Sequence, residues 1–177
     1  MFKLFDKFRQ RKNIKKSVND FNTLLKTDFD DIWNIDIKNN LLIALNSWLC
    51  KKCNYGDNIE KLSPAEKTFY LVFQLEGEVN NGGFSQFFYN SSDNFANDTA
   101  AALREIGAEK TAVICDRALA AFGGTIPINR DVMLNNIFTD GINKTLSQCD
   151  SEFYEYTDDL VELNYQFVFS NKNKFTR

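Results

Sequence analysis

The 177-residue chain contains no histidine. This absence removes the side chain that most often serves as general acid or base near neutral pH, and the most common metal ligand with it. Two prolines and eight glycines leave few obligatory turns, which favours long elements with short connections over a many-stranded sandwich. No run of eighteen apolar residues is present, so the sequence offers no membrane-spanning helix. The first residues, MFKLFDKFRQRK, lack a continuous apolar stretch and a small-residue cleavage site, so they do not read as a secretory signal. Cysteine is sparse, at positions 50, 53, 115 and 149. Together these features predict a soluble cytoplasmic chain with reduced thiols.

What is present is ample core material. Hydrophobic residues make up 44% of the chain and aromatics 14%, with seventeen phenylalanines, a composition incompatible with disorder. At this length one domain is expected. The net charge of −3 conceals an asymmetry: residues 1–16 hold seven Lys/Arg against one Asp, and residues 172–177 hold three more basic groups. Residues 17–171 therefore carry 11 basic and 23 acidic residues, a balance of −12. A body of that sign attracts basic partners and repels nucleic acid.

The domain reading is a basic amphipathic arm over residues 1–16, followed by a helical domain over 17–177. In the arm, Phe2, Phe5 and Phe8 recur at a spacing of three among lysines and arginines, as in a short amphipathic cationic helix. One such helix holds a membrane only weakly, so a contact with a partner or with the acidic body is preferred to a lipid contact. Ile14, Val18, Phe21 and Leu25 continue at helical spacing, and Leu41, Leu42, Leu45, Trp48 and Leu49 mark another helix. Ser63-Pro64-Ala65-Glu66 combines a cap, a proline suited to the first helical position and the glutamate of a capping box. The helix begun there is expected to run to about Asn80 and to stop at Gly82-Gly83, with a new helix from Phe84. Further helices are predicted over 99–106, 109–122, 130–138 and 150–170. The last rests on Phe153, Tyr156, Leu160, Leu163 and Phe167 sharing one face. The fold class that follows is all-α, a compact single-domain bundle of about seven helices with a helix–Gly-Gly–helix corner.

Two segments stand out as candidate sites. The first is Glu76, Glu78, Asn80, Asn81, Gly82, Gly83, Phe84, Gln86 and Asn90. Glu76 and Glu78 point about 200° apart on a helix and cannot form a facing acid–base pair there. Glu76 shares a face with Asn80, and Glu78 with Asn81. The glycines let the chain reverse, and the amides opening the next helix can receive an anion or a side-chain carboxylate. No lysine follows the glycines, so this is not a nucleotide phosphate loop. The structural reading is a corner whose amides satisfy backbone groups while three phenylalanines enter the core. The alternative is a ligand or enzyme pocket.

The second segment is acidic: Asp150, Glu152, Glu155, Asp158, Asp159 and Glu162 without an intervening basic residue. On one continuous helix, Glu152, Glu155, Asp159 and Glu162 form a stripe with carboxylates roughly 5 Å apart along the axis. Such like charges cost helix stability, a cost that a basic protein surface would relieve. Glu152, Glu155, Asp158, Asp159 and Glu162 are therefore the predicted partner-binding residues, against the plainer reading of a solvated helix face. Cys50-Lys51-Lys52-Cys53 has half the paired spacing of a zinc site, and Cys115 falls in an apolar helix, so no metal and no cofactor is expected.

The segment NNGGFSQFFYNSS, preceded by Glu78 and followed by AALREIGAEKTA and ALAAFGG, resembles the bacterial DNA-mimic protein family, a group composed largely of domains of unknown function. The resemblance spans roughly residues 60–170 and is strongest over 76–124. It implies an all-helical fold and, for at least some members, an acidic surface that occupies a DNA-binding protein in place of DNA. No functional residues carry over through the motif itself. The expectation is thus a non-enzymatic interaction protein engaging a basic partner, with a DNA-binding regulator as the leading candidate. A small-ligand binder or enzyme at the corner is one alternative. A toxin-neutralising immunity protein, which would use the same acidic-surface physics, is another.

Overall fold

The computed structural model describes residues 21–91, 96–124 and 140–177. The expected arm over 1–16, the Ile14 and Val18 positions and the helix expected over 130–138 lie outside the described residues. Every regular element among the described residues is helical, in agreement with the all-α expectation. They form two compact units, one comprising the described residues up to Leu62 with Thr176 and Arg177, the other Ser63–Phe175.

In the first unit, short helices α1 (Phe21–Leu24) and α2 (Phe29–Ile32) pack on α3 (Lys38–Lys52). Leu41, Leu42, Leu45 and Leu49 are fully buried, which is the stripe that the periodicity predicts. Phe29 lies 4.6 Å from Trp48 between ring centroids, and Ser47 and Lys51 both donate to the Leu25 carbonyl, at 3.0 and 2.7 Å. These bonds satisfy a carbonyl that the end of α1 leaves without a helical partner. The chain's C-terminus is held here too: Lys52 Nζ donates to the Thr176 carbonyl at 2.8 Å, and Arg177 pairs with Asp30.

The second unit contains α4 (Pro64–Ser91), α5 (Thr99–Glu105), α6 (Glu109–Ala120), α7 (Asp140–Phe153) and α8 (Leu160–Ser170). The capping box forms as expected. Ser63 N–H donates to Glu66 Oε2 at 2.8 Å, and Glu66 N–H donates to Ser63 Oγ at 3.3 Å. α4 packs against α5, α7 and α8, and α6 against α5 and α7. Phe69, Val72, Leu75 and Val79 of α4 are fully buried, and α5 and α6 end close to Gly107 and Gly123, where the sequence placed their stops.

α4 is broken in its middle. Non-helical backbone at Gly82 and Gly83 separates a first arm, ending near Asn80, from a second arm that starts at Phe84. The expected corner is therefore real. Phe84, Phe87 and Phe88 all enter the core with no exposure. The Phe84 ring meets Phe88 and Phe153 at 5.9 Å each, so the second arm is pinned to α7 by aromatic packing.

One expectation is corrected. The chain from 150 to 170 is not one helix: α7 ends at Phe153, a connection runs through Tyr154–Asp159, and α8 starts at Leu160. Tyr156 in that connection has φ of 47°, a left-handed conformation unfavourable for a residue with a Cβ. Asp159 caps the new helix, its Oδ1 accepting from Glu162 N–H at 2.9 Å. The carboxylate stripe required of a continuous helix therefore does not form. Those residues are divided between the end of α7, the connection and the start of α8.

Candidate functional site

The corner and the acidic connection are parts of one polar assembly. Gly83 has φ of 74° and ψ of −178°, a region open essentially to glycine alone. A Cβ there would lie 2.5 Å from Asp150 Oδ2 and 2.8 Å from its Cγ. The missing side chain makes room for that carboxylate, whose Oδ1 accepts from Phe84 N–H at 2.7 Å. Asp150, from α7, thereby caps the second arm of α4. The sequence showed that the amides after the glycines would suit a carboxylate; the structure supplies one from the chain itself.

The other polar groups of the motif are committed in the same way. Glu78 Oε2 accepts from Gln86 Nε2 at 2.6 Å and from Asn90 Nδ2 at 2.7 Å, which clamps the two arms of α4 across the break. Asn80 Nδ2 donates to the Tyr156 hydroxyl, and Tyr156 is also hydrogen-bonded to Glu76. Tyr154 Oη donates to the Val79 carbonyl at 2.8 Å. The strained backbone at Tyr156 is thus offset by the bonds its ring carries into the corner. Glu76 does share a face with Asn80, as the spacing predicts, and Tyr156 bridges the two. Glu78 pairs with Gln86 and Asn90 instead of Asn81, because the break brings the second arm back within reach. The bonds of Asn80, Gln86 and Asn90 go to side chains, where the structural reading expected backbone groups, while its three phenylalanines do enter the core.

Burial is the main reason that two of these carboxyls are harder to ionise than usual. It raises the Glu76 pKa, against the opposing hydrogen bond from Tyr156, and the charge of Asp159 adds to the rise. Burial also raises Asp150, partly offset by the Phe84 amide. A carboxyl whose folded pKa exceeds its unfolded value binds more protons in the folded state, so stability falls as pH rises through that window. The Glu76→Gln variant retains a carbonyl that can accept from Tyr156 and loses the buried charge. Its melting temperature is expected to exceed that of the parent at pH 7, with the gap closing below the ordinary carboxylate range. Thermal unfolding monitored by circular dichroism from pH 3.5 to 8 checks this; a variant less stable than the parent at pH 7 contradicts it.

The predicted partner-binding residues have individual roles. Glu152 is half-buried and ion-paired with Arg117, Oε2 to Nη2 at 2.5 Å. Asp158 Oδ2 accepts from the Thr111 N–H and hydroxyl at 2.8 and 3.0 Å, capping the first turn of α6. Asp159 caps α8, and Glu162 accepts from Gln166 at 2.9 Å. Glu155 is exposed. Three of the six acidic groups from 150 to 162 therefore stand at helix N-termini, where a negative charge is favoured by the helix dipole. Sequence reasoning placed Asp159 in a surface stripe and Asp158 among the partner-binding residues, and missed this use. The signal was available in Asp159-Leu160-Val161-Glu162, a cap followed three residues later by Glu and leading into an apolar run. Capping by backbone amides leaves the formal charge of Asp158 and Asp159 in place, whereas Glu152 is neutralised by Arg117 of the same unit. Beside this stretch, Lys110, Val113, Ile114, Glu152, Glu155 and Thr157 line a shallow groove of about 320 Å³.

The four cysteines are free thiols, and Cys53, Cys115 and Cys149 are buried. Burial pushes the Cys115 thiol up to about 12, which keeps it protonated and unreactive. Among the described residues, no group of three or more Cys, Asp or Glu side chains is placed to hold a metal ion, and no helix is long and apolar enough to cross a membrane.

Residues 60–171 match the family model described as DMP19-like protein, in agreement with the resemblance carried by the NNGGF segment. Neither a curated protein nor a solved structure matches the chain.

Proposed function

Because the chain belongs to the DMP19-like family, we propose that it is a non-enzymatic binding protein whose acidic helical unit engages a basic protein partner. The partner is a DNA-binding protein, held in place of its DNA. The observation that carries this reading is charge: residues 60–171 hold 17 acidic and 7 basic residues, a balance of −10. A field of that sign steers cationic surfaces toward the unit and away from nucleic acid. Carboxylates held by backbone amides, such as Asp158 and Asp159, are also fixed in position. Fixed charges lose less conformational entropy on binding than mobile side chains do.

Affinity capture with the tagged full-length chain from extracts of its own cells, at about 50 mM and about 500 mM salt, tests the proposal, since exposed charge pairs are screened over that range. The expected result is a basic partner retained at low salt and released at high salt, for which duplex DNA and the chain compete. A retained set indifferent to salt would overturn the electrostatic reading. A partner that binds DNA and the chain together would overturn mimicry, and capture of a toxin would replace the regulator with the immunity reading.

A further inference from the structure

Of the acidic groups between 150 and 162, Asp150, Asp158 and Asp159 hold backbone amides, Glu152 holds Arg117 and Glu162 holds Gln166. Glu155 is the exception: among the described residues its carboxylate forms no hydrogen bond or ion pair, and it is exposed. It lies on the groove of about 320 Å³. The floor of that groove is aliphatic. Val113 is 57% exposed, beside the buried Ala112, Ile114, Cys115 and Ala118 of the same helix. Thr157 adds a hydroxyl to the rim.

We propose that this groove is the docking position for a single arginine side chain of the basic partner, with its aliphatic stem on Val113 and Ile114 and its guanidinium on Glu155. This rests on the acidic-surface reading above and narrows it to one place. Charge complementarity and shape support the same occupant. A long side chain with an apolar stem and a charged head covers aliphatic surface while presenting its charge at the edge. A guanidinium offers a planar fork to a carboxylate, which the compact lysine ammonium lacks. The available volume suits one such side chain and its neighbours, being at the lower end of the range for ligand pockets. The other carboxylate of the lining is already committed, since Glu152 pairs with Arg117. Lys110 is the single opposing charge on the lining.

The test is a titration of the full-length ¹⁵N-labelled chain at low ionic strength, followed by amide chemical shifts. The probe is an acetylated, amidated alanine-based helical peptide containing one arginine and one leucine. The control peptide has citrulline, its neutral isostere, in place of arginine. The expected result is a set of shift changes confined to residues 110–117 and 152–157, absent with the citrulline peptide. Glu155→Lys is expected to weaken binding about tenfold or more, as does loss of a charge-assisted pair. Val113→Ser should weaken it through the floor, and Lys110→Ala should strengthen it. All three positions are exposed, so folding is retained and is checked by the unperturbed spectrum. Shifts scattered over all the surface carboxylates, or binding indifferent to Glu155→Lys, would overturn the groove and leave the acidic-surface reading standing. Absence of any binding at low salt would overturn the groove as well. Failure of the broader reading is registered separately, by the loss of salt-sensitive capture.

Discussion

Gly83→Ala is expected to destabilise the chain by about 2–4 kcal/mol, lowering the melting temperature by roughly 5–15 °C for a protein of this size. Two costs combine. The backbone at φ 74° and ψ −178° belongs to a region where a residue with a Cβ is strained by about 1–3 kcal/mol. The new methyl also points at the Asp150 carboxylate, 2.5 Å from Oδ2, so the carboxylate must leave the Phe84 amide and a helix cap worth about 1 kcal/mol is lost. The neighbouring glycine provides the contrast. Gly82 has φ of −162°, extended backbone that any residue adopts, and the nearest obstruction to a Cβ is the end of the flexible Gln86 side chain. Gly82→Ala should therefore cost less, its loss being confined to shifting Gln86 from its bond to Glu78. The double variant Gly83→Ala/Asp150→Ala separates the two terms: it removes the clash and retains the strain, so its loss should be smaller than the sum of the single losses. If Gly83→Ala unfolds at the same temperature as the parent, the corner is not held as described.

Phe84→Ala is expected to cost about 3–5 kcal/mol, the range for truncating a fully buried aromatic side chain. Phe84 is the residue at which the break in α4 becomes packing. Its amide takes the Asp150 carboxylate at 2.7 Å, and its ring lies against Phe87, Phe88 and Phe153. Truncation leaves the cap donor intact, because the amide belongs to the backbone, and opens a cavity between the second arm of α4 and α7. The expected signature in urea is a lower midpoint with an unchanged slope. Native-state hydrogen exchange should accelerate first in residues 84–91 and 140–153. A loss below about 1 kcal/mol would mean that the neighbouring rings collapse into the space, contrary to the tight packing of the phenylalanine cluster.

Much of this architecture can be read from the residues because it is encoded locally. Ser63-Pro64-Ala65-Glu66 places the start of α4 through bonds spanning only three residues, and both bonds form. Gly83 places the break because its positive-φ backbone is open essentially to glycine alone. The break near 154–159 was hidden for the opposite reason. Phe153, Tyr156 and Leu160 keep helical spacing through it, and Tyr156 adopts φ of 47° without a glycine to announce it. What stabilises that turn is distant in sequence, the hydrogen bond from Asn80 and the packing of Phe153 on Phe84. The candidate site follows the same rule. The residue types of the corner were recognisable, whereas the partners of Glu78, Asp150 and Asp158 lie 8, 66 and 47 positions away and emerge only once the helices are assembled. Glu155, left uncommitted by that assembly, could not be singled out from its acidic neighbours beforehand.

The three aspartates that seat helix starts give the unit an unusual mutational grammar. At Asp150, Asp158 and Asp159, replacing the carboxylate subtracts a negative charge and releases a main-chain donor at the start of a helix in the same stroke. Sequence drift at these three positions therefore cannot remove their charge without also loosening the starts of α6, α8 and the second arm of α4. The charge at these three positions is held as a structural obligation, and an acid that the scaffold does not require, such as Glu155, is free to vary without that cost.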